Sequence, residues 1–171
     1  MFINRVKRAL AEGRTQIGTG YGQIRTPEAV RILAAAGFDW IFIDTEHGVF
    51  HQETIQDLCR AATDNNMVPI VRVASLEYDL VARALDCGGQ GVIFPRVESV
   101  ELLQQAVSWT KFPPVGVRGF GLTPSYVNYE KATIPQILEH VNRETLVILQ
   151  IETQKAVDMR DELLSVPGVD A

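Results

Sequence analysis

Apolar and polar positions fall into two recurring patterns along the chain. Short continuous apolar runs appear at Trp40-Ile41-Phe42-Ile43, Val68-Pro69-Ile70-Val71, Gly91-Val92-Ile93-Phe94 and Leu146-Val147-Ile148-Leu149. Runs of that length, rich in β-branched and aromatic residues, read as buried strands. Thr15-Gln16-Ile17, ahead of Gly18 to Tyr21, is a further short strand candidate. Between the runs, apolar residues recur at helical spacing. Thr26-Pro27-Glu28 supplies an N-cap and a first-turn proline for a helix through Val30, Leu33 and Ala34 to Gly37. Ile55, Leu58, Cys59 and Ala62 predict a helix over Gln52 to Asn65, and another spans about Glu77 to Leu85, before Gly88-Gly89. Ser99 caps a helix carrying Val100, Leu103, Ala106 and Val107 on one face. A Pro- and Gly-rich loop, Pro113 to Pro124, precedes a helix near Ile134 to Asn142. The strand Leu146 to Ile151 and one helix over Thr153 to Ser165 follow, and Val169-Asp170-Ala171 reads as the start of another strand.

Buried strands alternating with amphipathic helices mean βαβ units and a parallel sheet. A doubly wound sheet with a dinucleotide site is disfavoured, because Gly18-Thr19-Gly20-Tyr21-Gly22-Gln23 fails the glycine fingerprint at its third position. Polar residues at one strand end after another (Asp44, Arg72, Glu152) favour a (β/α)8 TIM barrel. A complete barrel takes about 250 residues. The 171 residues are therefore expected to form one α/β domain over 1–171, a barrel C-terminally incomplete after its sixth βα unit.

Composition narrows the function classes. With 46% apolar and 22% charged residues, the chain is ordinary for a globular protein. A formal charge of −5 without a basic stripe argues against nucleic acid as a partner. No apolar stretch approaches the roughly 20 residues of a membrane span. Met1 to Lys7 lacks the apolar core of a signal peptide, and Cys59 and Cys87 lie in helical patterns, so a cytoplasmic setting without disulfides is expected.

The chemistry-bearing residues gather at strand ends. Asp44-Thr45-Glu46-His47-Gly48 closes the first apolar run, where ligands collect in parallel α/β folds. The same segment could instead cap a helix. Arg72 offers a planar fork for a carboxylate, or a salt bridge across a barrel mouth. Glu152, with Gln150 two residues earlier on the same face, suits a hard cation or the cap of the next helix. Asp86 sits in a last helical turn, where the helix dipole disfavours its charge and a specific partner is expected. His51 and His140 read as surface helix residues. The four lysines, Lys7, Lys111, Lys131 and Lys155, avoid strand ends, which argues against imine chemistry. No nucleophile elbow or P-loop is present. What remains is acid–base chemistry on a carboxylate-bearing substrate with a metal electrophile.

Gly37 to His47, Val71-Arg72-Val73, Leu85 to Pro95, Pro113 to Gly119 and Gln150-Ile151-Glu152-Thr153 together resemble the HpcH/HpaI aldolases, which are metal-dependent class II pyruvate aldolases. The motifs occur in order over nearly the whole chain. The resemblance implies a carbon–carbon lyase that cleaves a 4-hydroxy-2-oxo acid reversibly to pyruvate and an aldehyde through a metal-stabilised enolate. It implies His47 as base, with Asp86 raising its basicity and Asp44 supporting the cluster. Arg72 would hold the pyruvate moiety, Gln150 would contact substrate and Glu152 would bind Mg²⁺ or Mn²⁺ (Co²⁺ also fits). Family members carry a second metal carboxylate one unit beyond Glu152, past Ala171, so this chain alone is expected to be inactive. A homo-oligomer, a hexamer in the family, is the expected assembly, and small 2-oxo acids and aldehydes are the expected partners. The role of Arg118 stays open between substrate contact and loop structure. The competing readings are a CoA-ester lyase of the citrate lyase or malyl-CoA lyase type and a non-catalytic metabolite-binding relative.

Overall fold

Helix α1 (Arg5–Ala11) opens the chain, and strands and helices then take turns: β1 (Gly18–Tyr21), α2 (Pro27–Ala35), β2 (Trp40–Asp44), α3 (Gln52–Asp64), β3 (Val68–Arg72), α4 (Tyr78–Asp86), β4 (Gly91–Phe94), α5 (Val100–Trp109), α6 (Ile134–Glu144), β5 (Leu146–Leu149), α7 (Gln154–Asp158) and α8 (Arg160–Leu164). The structure is a computed structural model that describes residues 1–121 and 128–171. The end of the expected Pro- and Gly-rich loop, residues 122–124, lies outside the described residues. Local chemistry sets the boundaries. Thr26 and Ser99 cap α2 and α5 by accepting from the Glu28 and Leu102 amides, and Gly37 takes φ +92 just beyond α2.

Among the described residues, five strands pair in parallel, in the order β1-β2-β3-β4-β5. Sequential order without a reversal point is barrel winding, not the doubly wound arrangement. Period-two alternation then divides the side chains. Val68, Ile70, Ile93 and Leu146 form one apolar cluster with Trp40, Phe42 and Ile148 on the inner face, closed at the strands' N-terminal ends by Val6 of α1. Ile41, Ile43, Val71, Val92 and Val147 point the other way, into the larger core shared with the helices. Continuing the inner-face alternation past these residues leads to Asp44, Arg72 and Gln150.

Four features depart from the sequence expectation. The first strand is Gly18–Tyr21, not Thr15 to Ile17: a Cβ at Gly18 would lie 2.1 Å from the Trp40 ring, so glycine is what lets this strand lie against β2. Strand β5 ends at Leu149, which leaves Gln150 and Glu152 just past it, although the Gln150 amide still donates to Phe94. The single last helix is two, divided at Met159 (φ −108, ψ 19). His140 is buried rather than on the surface, with Nε2 2.6 Å from the Phe2 carbonyl oxygen. Val169 to Ala171 does run along β5: the Asp170 amide donates to Val147, and Ala171 accepts from Leu149. Among the described residues, no helix is long and apolar enough to cross a membrane.

Candidate active site

Arg72 is the hub. Its guanidinium lies at the C-terminal end of β3, directly across from Asp44 in the β2–β3 register. Nε and Nη2 donate to the two Asp44 oxygens at 3.0 and 2.7 Å, a bidentate pair, while Nη1 donates to Gln150 Oε1 at 3.2 Å. The Phe42 ring, two residues before Asp44 on the same face, lies beneath the guanidinium carbon at 5.1 Å. Both side chains of the ion pair are largely covered, 10% and 15% exposed. Burial alone pushes the Asp44 carboxyl up. The Arg72 hydrogen bonds, the His47 and Glu46 amides and the Arg72 charge outweigh it, so Asp44 titrates below the usual carboxylate range. The Asp44 hydrogen bond raises Arg72 in turn, against burial, with further support from the Asp44, Glu46 and Glu152 charges.

The loop after β2 folds back on Asp44. The Glu46 and His47 amides donate to Asp44 Oδ1, at 3.0 and 3.2 Å, and the Thr45 amide and hydroxyl both donate to the Arg72 carbonyl. The tightness of this turn requires Gly48, where an added Cβ would stand 2.0 Å from the Asp44 carbonyl oxygen. The fold-back buries Glu46: its Oε2 lies 3.1 Å from Arg72 Nη1, and its Oε1 3.7 Å from His47 Nε2. The His47 ring stands at the rim, 73% exposed. On the far side, Gln150 Nε2 donates to Glu152 Oε2 at 2.7 Å, and the Arg96 amide donates to Glu152 Oε1 at 3.0 Å. Arg96 adopts a positive φ, +52, in the turn that offers this amide.

Asp44, Arg72, Gln150 and Glu152 thus form one hydrogen-bonded chain across the mouth, with His47 beside it. Glu46 joins them as a full member that the expected site omitted. Its signal was available in the Asp-Thr-Glu-His run, but alternation alone cannot tell which acid a turn folds inward. Asp86 closes α4, and its Oδ1 accepts from Arg118 Nη2 at 2.6 Å. The next residue, Cys87, places Sγ 3.6 Å from the Gln52 carbonyl oxygen at the start of α3. Arg118 is buried, with its guanidinium 4.6 Å from the Phe112 ring centre, away from the mouth.

Among the described residues, no three His, Cys, Asp or Glu side chains converge as a metal cage. Glu152, exposed and bonded to Gln150, is a single hard oxygen donor of the kind that Mg²⁺ takes together with substrate and water oxygens. Charge balance points the same way. Among the described residues, three carboxylates, Asp44, Glu46 and Glu152, act on the Arg72 guanidinium. An excess of carboxylates favours a bound cation, which would also offset the charge of an anionic substrate.

Residues 21–171 match the family model described as HpcH/HpaI aldolase/citrate lyase. Over 170 residues the chain is 34% identical to a 5-keto-4-deoxy-D-glucarate aldolase of Enterobacter sp. (strain 638), covering 99% of this chain and 65% of that protein. It is also 34% identical to a hydroxypyruvate/pyruvate aldolase of Roseovarius nubinhibens, over 98% of this chain and 64% of the relative. The crystal structure of an HpcH/HpaI aldolase from Desulfitobacterium hafniense DCB-2 superposes with a TM-score of 0.91 at 32% identity, covering 97% of this chain and 64% of that one. The chain thus spans just under two thirds of the length of these relatives.

Proposed function

The chain belongs to the HpcH/HpaI aldolase/citrate lyase family, and on that premise we propose that the protein carrying it cleaves a 4-hydroxy-2-oxo acid reversibly to pyruvate and an aldehyde. The relatives' names favour a substrate derived from a sugar acid. The observation that carries the reading is the fork of Arg72. Two of its three nitrogens each donate to Asp44, and the third, Nη1, lies between Gln150 and Glu46. A planar cation held in this way is preorganised for a carboxylate or for the oxygen of a developing enolate.

In the cleavage direction, His47 takes the proton of the 4-hydroxyl, the C3–C4 bond breaks, and the aldehyde leaves pyruvate as its enolate. Arg72 Nη1 binds the pyruvate end, and Gln150 orients it. Glu152 would hold Mg²⁺ or Mn²⁺, which supplies Lewis-acid polarisation of the 2-oxo group and offsets the charge that develops there. Protonation of the enolate at C3 completes the turnover. Within the chain Asp86 accepts from Arg118 Nη2, and the role expected for Asp86 beside His47 is assigned in this proposal to a second copy of the chain. A homo-oligomer is part of the proposal for that reason.

The test is pyruvate release from a 4-hydroxy-2-oxo acid by the whole protein with Mn²⁺, followed through a lactate dehydrogenase couple. Arg72→Lys is expected to lower kcat/KM by about 10²-fold or more, since an ammonium cannot keep the fork on Asp44 while reaching substrate. Metal-independent pyruvate binding with no turnover would overturn the aldolase reading in favour of a binding protein.

A further inference from the structure

Glu46 has a position that the aldol chemistry above leaves unused. Its side chain is 12% exposed, and Oε2 is fully shielded from solvent. That oxygen lies at ion-pair distance from Arg72 Nη1, 3.1 Å, yet makes no aligned hydrogen bond there. A shielded carboxylate oxygen without a hydrogen bond is costly to keep, so it marks an arrangement set for something else. The other oxygen, Oε1, stands 3.7 Å from His47 Nε2, just beyond hydrogen-bond reach.

Nε and Nη2 of Arg72 each place an N–H on Asp44, and Nη1 lies between Gln150 Oε1 and Glu46 Oε2, so an incoming anion meets the guanidinium on the side where Glu46 already pairs with it. The neutral Gln150 amide can turn its nitrogen toward an anion. Glu46 cannot, and a second anion brought to the same guanidinium repels it and weakens its hold there. A displaced, desolvated carboxylate then needs a new cationic partner. The nearest group able to become one is His47, on the next residue.

We propose that Glu46 is a transferable counter-charge: it sits on Arg72 in the empty site and passes to His47 Nε2 when an anionic substrate takes Nη1. Glu46 remains a carboxylate throughout. The proton from the substrate hydroxyl goes to His47, and Glu46 stabilises the imidazolium so formed. Base action is thereby tied to occupancy of Arg72, and an empty site keeps Glu46 on Arg72 rather than on the histidine at the rim. Glu46 is a positioning residue in this account, acting through His47 and through competition at Arg72. The proposal rests on the aldolase reading for its kinetic part but not for its binding part.

The experiment compares the wild-type whole protein with Glu46→Gln, His47→Gln and the double variant, using oxalate as an enolate mimic in the presence of Mn²⁺. Calorimetry reads the oxalate dissociation constant, turnover reads kcat and KM, and thermal melting reads the fold. In Glu46→Gln, oxalate is expected to bind about tenfold tighter, because no carboxylate competes for Nη1. The same variant is expected to lose about 10²-fold in kcat, and to lose nothing further in the His47→Gln background, since two residues acting as a unit are not additive. Weaker oxalate binding in Glu46→Gln overturns the proposal, and so do kcat losses that multiply in the double variant: Glu46 would then be a structural ion pair. Failure of the aldolase reading is separable. A wild type that releases no pyruvate refutes that reading, while the direction of the oxalate shift still decides whether Glu46 competes at Arg72.

Discussion

Arg72 gives two of its donors to Asp44 before any ligand arrives, and this commitment governs its stability as well as its chemistry. Removing one partner of a covered ion pair leaves the others uncompensated. Arg72→Met strands Asp44 and Glu46 together and is expected to cost about 3 kcal/mol at pH 7. The sign of the pH dependence follows from Asp44, whose folded pKa lies below its ordinary 3.8. A depressed carboxyl stabilises the fold above the ordinary value, and that stability is lost as pH falls through the depressed one. Urea unfolding at pH 7 and near pH 3 checks this: the wild type should lose stability on acidification, and Arg72→Met should show a markedly smaller drop. An equal drop in both would mean that the pair contributes nothing to folding.

At the scale of elements, the strand-to-helix turn after β2 carries the site, and Gly48 is its geometric condition. A methyl group at Gly48 would meet the Asp44 carbonyl oxygen at 2.0 Å and the Gly22 carbonyl oxygen at 3.1 Å, both of them backbone. Backbone cannot rotate away as a side chain can. Gly48→Ala is therefore expected to push residues 44–48 apart and re-aim Glu46 and His47, lowering kcat/KM by about 10²-fold. The rest of the barrel should stay folded, with far-ultraviolet circular dichroism unchanged. Full activity in this variant would show that the turn has slack that the contacts do not suggest. Most elements were legible from sequence because their signals are local: Thr26 and Ser99 as caps, Gly37 beyond a helix, β-branched runs as strands. Strand β1 was not, because glycine carries no strand propensity. Trp40 makes Gly18 suitable there, and that pairing is 22 residues distant in the chain.

The whole molecule has two ends with different tasks. At the C-terminal mouth the inner face turns polar. At the opposite end, α1 seals the inner cluster, and Lys7 and Lys111 both donate to the Thr145 carbonyl, with Lys7 also paired to Asp170. Lys111 is buried there, and burial, helped by the Lys7 charge and opposed by Asp170, lowers its pKa to about 8 from 10.5. Between these values the unfolded chain binds more protons than the folded one, so stability should rise with pH from about 8 toward 10. Denaturant unfolding across that range checks it against Lys111→Met, in which the rise should vanish. A slope that persists in the variant would assign the effect to another group.

The sequence by itself determined the α/β class, the sequential strands, the position of the mouth and four of the residues that meet there, Asp44, Arg72, Gln150 and Glu152. Period-two and helical spacing are properties of neighbouring residues, and inner-face alternation carries them to the strand ends. Tertiary structure alone decided which of these touch. It turned Glu46 inward onto Arg72 through backbone bonds to Asp44, left His47 at the rim, buried His140 against Phe2, and gave Asp86 to Arg118 at the far end of α4. Each of those outcomes depends on the direction of a turn or on a partner distant in sequence. Such pairings arise when strands and helices close around a common core, and spacing along the chain does not encode them.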